Sequence, residues 1–324
     1  MKLSLRLKSV LLLAAVGAVV SFSSCGKDDK PQPVVTNTIT DKVVADASFT
    51  LLEQAVLRAN LQGTLSSTGP FTVFAPDDAA FTGAGLTATV IGNTTPAALS
   101  NILLYHTIPA RILAAAVPAG PNARVVTASG DSVFVTSNTN GVFVNGVRVT
   151  GADIVADNGV IHKVGRVIQP PIGNIVQTAV ARTGLLDSLV KAVTRASNPN
   201  VAGSDPTLAN TLSTATLTVF APTNAAFTQL LTTLGLTDIN QIPIANLLSV
   251  LRLHVVNPGI ATRAFSNSLV NGALPMLAGS TTVALSTNGA TIKGSGGTAA
   301  SNIIATDIMC RNGVVHVIDR VLQP

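Results

Sequence analysis

Four histidines, at positions 106, 162, 254 and 316, are the residues of this 324-residue chain best suited to hold a metal or move a proton. They fall into two pairs, spaced 56 and 62 residues apart. Neither spacing matches a local ligand motif, and no Cys or paired Glu recurs beside them. The role expected of them is structural, with ring nitrogens meeting buried backbone groups near sheet ends. Asp77-Asp78 would suit paired carboxylates, but a related stretch further on has Thr223-Asn224 instead. Glu53 is the sole glutamate, and no G-x-S-x-G elbow, Walker loop or dinucleotide fingerprint is present. The residue types therefore predict no catalytic residue, no cofactor-binding residue, no metal ligand and no enzyme.

What organises these residues is a repeat. Phe71-Thr72-Val73-Phe74-Ala75-Pro76 followed by Ala79-Ala80-Phe81 returns as Leu217-Thr218-Val219-Phe220-Ala221-Pro222 followed by Ala225-Ala226-Phe227. Asn158-Gly159-Val160-Ile161-His162, closing at Pro170, returns as Asn312-Gly313-Val314-Val315-His316, closing at Pro324. The offset grows from 146 to 154 residues, far beyond a solenoid period of roughly 20–50. It is the length of a domain. Residues 37–170 and 171–324 are read as two copies, with Pro324 expected to close the second. Features kept in both copies are explained by a shared fold, and features found in one copy belong to this chain in particular.

Each copy opens with helical patterning. Ser48 is the expected cap of a helix with the stripe Phe49, Leu52, Ala55, Val56 and Ala59; Leu185, Leu186, Leu189, Val190 and Val193 do the same in the second copy. Asp77 and Thr223 read as N-caps of the helix after the Thr-Val-Phe-Ala strand. Thr95-Pro96 opens a helix leading to His106, and residues 244–253 lead likewise to His254. Asn140-Gly141 and Asn145-Gly146 between β-branched runs predict hairpins. Two stretches that lengthen the second copy, 195–210 and Gly294-Ser295-Gly296-Gly297, read as exposed loops.

The two repeated motifs resemble the signature pair of the fasciclin domain family. Tyr105-His106 fits the Tyr-His pair that the family carries between them, while the second copy keeps only the His, as Leu253-His254. The resemblance spans about residues 37–324. It implies an α+β fold of two tandem domains, each a β-sandwich-like wedge with packed helices. It makes Tyr105, His106, His162, His254 and His316 structural motif residues. Roles in adhesion or surface interaction are implied, without catalysis. Asp153-Ile154 and Asp307-Ile308 stand where, in animal members, an Asp-Ile stretch is implicated in integrin binding, and they are candidate interaction residues.

The front end predicts an address. Lys2, Arg6 and Lys8 precede an apolar run from Val10 to Val20, too short for a span of about 20 residues. Ser21-Phe22-Ser23-Ser24-Cys25 then resembles a bacterial lipobox. Residues 1–25 read as a lipoprotein signal with Cys25 lipidated, and 26–36 as a tether. Lys27-Asp28-Asp29 resembles the surface-export signal of Bacteroidetes lipoproteins. The tether could reach on the order of 35 Å. The expected location is extracytoplasmic, lipid-anchored to the outer membrane and surface-exposed.

Composition narrows the partners. Removing Lys2, Arg6 and Lys8 with the signal lowers Lys+Arg from 20 to 17 against 15 Asp+Glu, so the mature net charge is +2. That leaves no basic stripe for nucleic acid. Trp is absent and Tyr105 is the only tyrosine, which removes most aromatic platforms. With Cys25 lipidated, Cys310 has no partner and reads as a small apolar core residue matching Ala156. The expected function is adhesion to an unidentified protein or polysaccharide surface. The rival is a binding protein for an apolar small molecule or pigment, which would need a pocket of several hundred Å³.

Overall fold

The computed structural model describes residues 37–324 apart from 121, 260–262 and 288. Cys25, the signal and the 26–36 tether lie outside the described residues. The first copy begins with α1 (Ile39–Ala45), α2 (Thr50–Arg58) and α3 (Gln62–Leu65). Then come β1 (Phe71–Pro76), α4 (Asp78–Gly83), α5 (Ala88–Asn93), α6 (Pro96–Tyr105) and β2 (Thr107–Ile108). Asp77 Oδ1 accepts from the Ala80 N–H at 2.8 Å, and Thr95 caps α6 with Pro96 at its first position. The copy closes with β3 (Ala123–Val126), β4 (Ser132–Asn138), β5 (Gly141–Val144), β6 (Val147–Ala156) and β7 (Gly159–Val164).

These strands form one curled sheet of order β2-β1-β7-β6-β5-β4-β3. Its later half is a run of hairpins, and Asn145 and Gly146 both take positive φ in the two-residue turn between β5 and β6. The long-range step is β7, which returns to pair parallel with β1 from Phe71↔Gly159 to Pro76↔Val164. Here the motif glycine has a steric cause: a Cβ on Gly159 would lie 2.1 Å from the Phe71 carbonyl oxygen.

The second copy repeats the plan. It contains α7 (Ile175–Val180), α8 (Asp187–Ala196), α9 (Leu208–Thr214), β8 (Leu217–Pro222), α10 (Asn224–Leu234) and α11 (Ile244–Leu253). Then follow β9 (Gly272–Pro275), β10 (Ser280–Ser286), β11 (Gly289–Gly294), β12 (Ser301–Cys310) and β13 (Gly313–Ile318). The sheet order is β8-β13-β12-β11-β10-β9, with β13 parallel to β8. Gly313 meets the Leu217 carbonyl as Gly159 meets Phe71. Each copy has two cores. One packs the helices on β1 and β7, or on β8 and β13. The other lies inside the curl, around Phe74 and Tyr105 or around Phe220 and Leu253.

Four details depart from the sequence reading. Ser48 is not the cap of α2: Asp46 Oδ1 accepts from its N–H at 2.9 Å and its hydroxyl at 2.7 Å, capping a 3-10 turn ahead of a helix that starts at Thr50. Leu185 is exposed, because the turn before α8 points it outward. The 195–210 stretch is not one exposed loop. It holds the end of α8 and the start of α9, with Ala196 and Leu208 buried and Asp205 paired to Arg252 at 2.8 Å. The 294–297 stretch is not all exposed loop either, since Gly294 is buried at the end of β11. A Cβ on Gly294 would fall 2.2 Å from the Gln323 carbonyl oxygen, and one on Gly296 would fall 1.9 Å from that of Pro324. They let the last residues of the chain pass closely.

Candidate functional site

The histidines occupy two kinds of position, each found in both copies. His106 ends α6: its Nδ1 donates to the Ile102 carbonyl at 2.8 Å and its Nε2 accepts from the Ile168 N–H at 3.0 Å. His254 does the same with Val250 at 2.7 Å and Leu322 at 3.0 Å. Each ring ties a helix end to the segment that leaves the last strand. Burial pushes both imidazoles down to about 4, against the pull of the carbonyl each one donates to.

His162 and His316 lie inside the sheets. Nε2 of His162 donates to the Ile112 carbonyl at 2.8 Å, and Nε2 of His316 donates to that of Ala264 at 2.8 Å. Their Nδ1 atoms accept from the backbone N–H of Asp153 and Asp307, at 3.2 and 3.3 Å. Phe74 and Phe220 cover the rings, with centroids 5.5 and 5.2 Å away. Both ring nitrogens of all four histidines are thus engaged by backbone. Among the described residues no group of three or more His, Cys, Asp or Glu could hold a metal ion.

Asp153 and Asp307 have φ of 59° and 62°, where a non-glycine residue is uncommon and Asp is among the few tolerated. Each sits at a bulge in the ladder to the histidine strand. Its Oδ1 accepts from the N–H of Ala114 or Ser266, at 2.9 and 2.7 Å. The Asp–His couple therefore fastens a loop onto the sheet, which accounts for the Asp in both copies. Ile154 and Ile308 are half-buried and pack on the helical cores. The two aspartates differ in access: the Asp153 side chain is 40% exposed and that of Asp307 is 2% exposed.

The cause of that difference is the domain junction. Arg166 reaches from the end of β7 to Asp307 at 2.9 Å. Phe134 meets Phe265 at 6.1 Å between centroids, and with Met309 and Val314 they form an apolar nucleus shared by the copies. Gly146 comes so close that a Cβ there would lie 2.6 Å from the Asp307 carboxyl carbon. None of this was visible in the motifs.

Tyr105 is fully buried, donating to the Ser132 carbonyl at 3.0 Å and accepting from Asn145 Nδ2 at 2.9 Å. Burial raises its phenol above the usual range. Leu253 can do neither, and the Asn145-Gly146 turn is also missing from the second copy, where residues 295–300 join β11 to β12. Cys310 is fully buried. A groove between α7, α8 and α9, lined by Ile175, Ala179, Leu189, Leu208 and Leu212, holds about 100 Å³. Sites for drug-sized ligands run roughly 300–1,000 Å³. No helix among the described residues is long and apolar enough to cross a membrane.

Sequence reasoning missed two polar residues that sew each copy together. Asn158 Oδ1 accepts from the Ile39 N–H at 2.9 Å, while its Nδ2 donates to the carbonyls of Leu65 and Ser67, both at 2.7 Å. Asn312 repeats this with Ile175, Leu212 and Ala215. The signal was present, since Asn precedes both Gly-Val motifs, but it reads first as a turn residue.

Comparisons with known proteins place the chain in a family. The family model of the fasciclin domain matches residues 47–170 and 196–324. The Synechocystis protein sll1483 is 37% identical over 137 residues, 42% of this chain and 74% of that protein. The pig (Sus scrofa) transforming growth factor-beta-induced protein ig-h3 is 35% identical over 136 residues, 41% of this chain but 19% of its own length. Human periostin is 29% identical over 140 residues, 42% of this chain and 17% of periostin. Among solved structures, a FAS1 domain pair from the insect cell adhesion molecule fasciclin I covers 88% of this chain and 96% of its own. It does so at 17% identity, with a TM-score of 0.39. With both motif sets, both curled sheets and two family matches, the chain belongs to the fasciclin domain family.

Proposed function

We propose that this protein is a non-enzymatic attachment protein of a bacterial envelope. Lipid on Cys25 holds it at the outer membrane, the 26–36 tether carries it outward, and the domain pair meets a protein or polysaccharide surface. Fasciclin domain proteins typically act in adhesion or interaction. The observation that carries the reading is the histidine geometry: the groups best suited to acid–base or metal chemistry have both ring nitrogens committed to backbone. What remains for function is surface, and it belongs to residues that differ between the copies.

Two measurements test this. Cys25→Ala should move the protein from the membrane fraction to the soluble fraction; unchanged retention would refute anchoring through that residue. Single contacts on a weakly charged surface should be weak, and dense display multiplies avidity by roughly 10²–10⁴. The protein should therefore adhere to cells or matrix when crowded on beads and poorly as a free monomer. Equal adhesion in both forms, or none in either, would count against attachment.

A further inference from the structure

The copies serve as controls for each other, and one charged cluster has no counterpart. At the junction, Arg124, Arg263 and Arg311 line a cleft of about 550 Å³ together with Asp131, Ser132 and Phe134. Arg124 on β3 pairs across the sheet with Phe134. Arg263 lies over the Phe134 ring, 4.5 Å from its centroid, and donates to the carbonyls of Cys310, Gly313 and Arg311. Arg311 extends back toward Asp131, with Nε 3.7 Å from Oδ1.

Three guanidinium groups, always protonated, thus line the cleft with one carboxylate, and only Arg311 approaches that carboxylate, at 3.7 Å. Arg124 spends a single donor inside the protein, Nε to Ser132 Oγ at 2.8 Å. Arg311 is 66% exposed. Burial pulls the Arg263 guanidinium below its ordinary value, and the like charge of Arg124 adds to the pull. The excess of two positive charges sits in a concave site of the size that ligands occupy.

Fold maintenance does not account for this. The strand registers place Ala273 where the first copy has Arg124, and Thr282 where it has Phe134. Arg311 precedes its Asn-Gly motif where the first copy has Asp157, and Asp131 precedes Ser132 where Gly279 precedes Ser280. Arg263 alone has an arginine counterpart, the exposed Arg111. The cluster exists only because two different domains meet.

We propose that this cleft binds an oxyanion group, a carboxylate or sulfate, bridged between Arg124 and Arg311 with Arg263 behind it. Planar guanidinium groups match such anions two bonds at a time, and Ser132 and Thr216, which also line the cleft, carry hydroxyls suited to those of a sugar. The group can arrive on a free sugar acid or on an acidic polysaccharide chain. Only the choice of carrier rests on the attachment reading.

The test is calorimetric titration of the detergent-purified protein with monomeric galacturonate, oligogalacturonate, inorganic sulfate and neutral dextran. The anions should bind saturably and dextran should not, and affinity should fall as salt is added. Arg124→Ala and Arg311→Ala should each weaken binding about tenfold without lowering the melting temperature. Asp131→Asn should tighten it by removing the competing carboxylate. An oligomer bound more tightly than the monomer identifies a chain as the carrier, and equal affinities identify a free acid; both uphold the site. Absence of saturable anion binding, or binding indifferent to all three substitutions, overturns it. Bead adhesion that survives both arginine variants sinks a cleft role in attachment but not attachment. Anion binding by a protein that never adheres does the reverse.

Discussion

Arg166 of the first domain donates to Asp307 of the second at 2.9 Å, and closes over a carboxylate that also accepts from the Ser266 N–H and hydroxyl. One residue thus serves two purposes, fastening a loop within its own domain and the neighbouring domain to it. Arg166→Ala should leave Asp307 buried with a donor missing. Because Arg166 is half exposed, a loss of about 1–2 kcal/mol is expected. In scanning calorimetry the transition of the pair should broaden or split as the domains uncouple; a melt superimposable on the wild type would argue against coupling through this pair.

Gly146 is the steric partner of that contact. Its φ of +77° disfavours a side chain, and an added Cβ would press on the Asp307 carboxyl. Gly146→Ala should cost about 1–3 kcal/mol and raise protease sensitivity at the junction. Gly130→Ala has a comparable positive φ but nothing within 4 Å of the new Cβ, so it isolates the backbone effect. If both substitutions cost the same, the close approach to Asp307 is not what Gly146 is for.

Asn158 and Asn312 each make three hydrogen bonds that tie the turn before a domain's last strand to its first helix and to the segment just ahead of its first strand. Asn158→Asp turns two donors into acceptors facing carbonyls. It should cost about 3 kcal/mol, and more than Asn158→Ala. Urea unfolding with both variants tests the order, and an aspartate variant as stable as the wild type would refute it.

Acid should weaken the protein through His106 and His254. Their folded values are near 4, below the unfolded value of about 6.5. Above 6.5 both states are neutral. Between 6.5 and 4 only the unfolded chain takes up the proton, so stability is lost as pH falls through that window and levels off below it. Each histidine contributes on the order of 3 kcal/mol over the full shift. Denaturant midpoints that stay constant from neutral pH to about 4 would contradict this.

The parts of the fold written in local text were legible. Asp77, Thr223 and Thr95 cap helices, and the two Asn-Gly turns join the strands beside them. The repeated motifs located β1 and β7 but could not reveal that they pair in parallel, because that contact spans about ninety residues and has no periodic signature. Asp153 was legible as recurrent but not as a bulge residue, since positive φ leaves no mark on an Asp. The 195–210 stretch looked like loop because Pro199, Gly203 and Pro206 hide the start of α9. The arginine cleft was beyond reach, as Arg124 joins Arg263 and Arg311 only when two domains dock.

The stitching at Asn158 also sets how the protein responds to a pull. Asn37 and Ile39 are bonded to Asp157 and Asn158, at one end of β7, and the chain leaves the domain from the other end of that strand. Gly173 and Ile175 are bonded to Arg311 and Asn312 in the same way, ahead of β13. Tension between the front of the chain and its last residues therefore runs along β7 and then β13, with the helices and hairpins lying to the side of the line. Each domain lengthens that line by little more than one strand, roughly 20 Å for six residues. The first bonds to feel the force are those at the two asparagines, so a pull between those ends should peel a short helix before it strains either sheet.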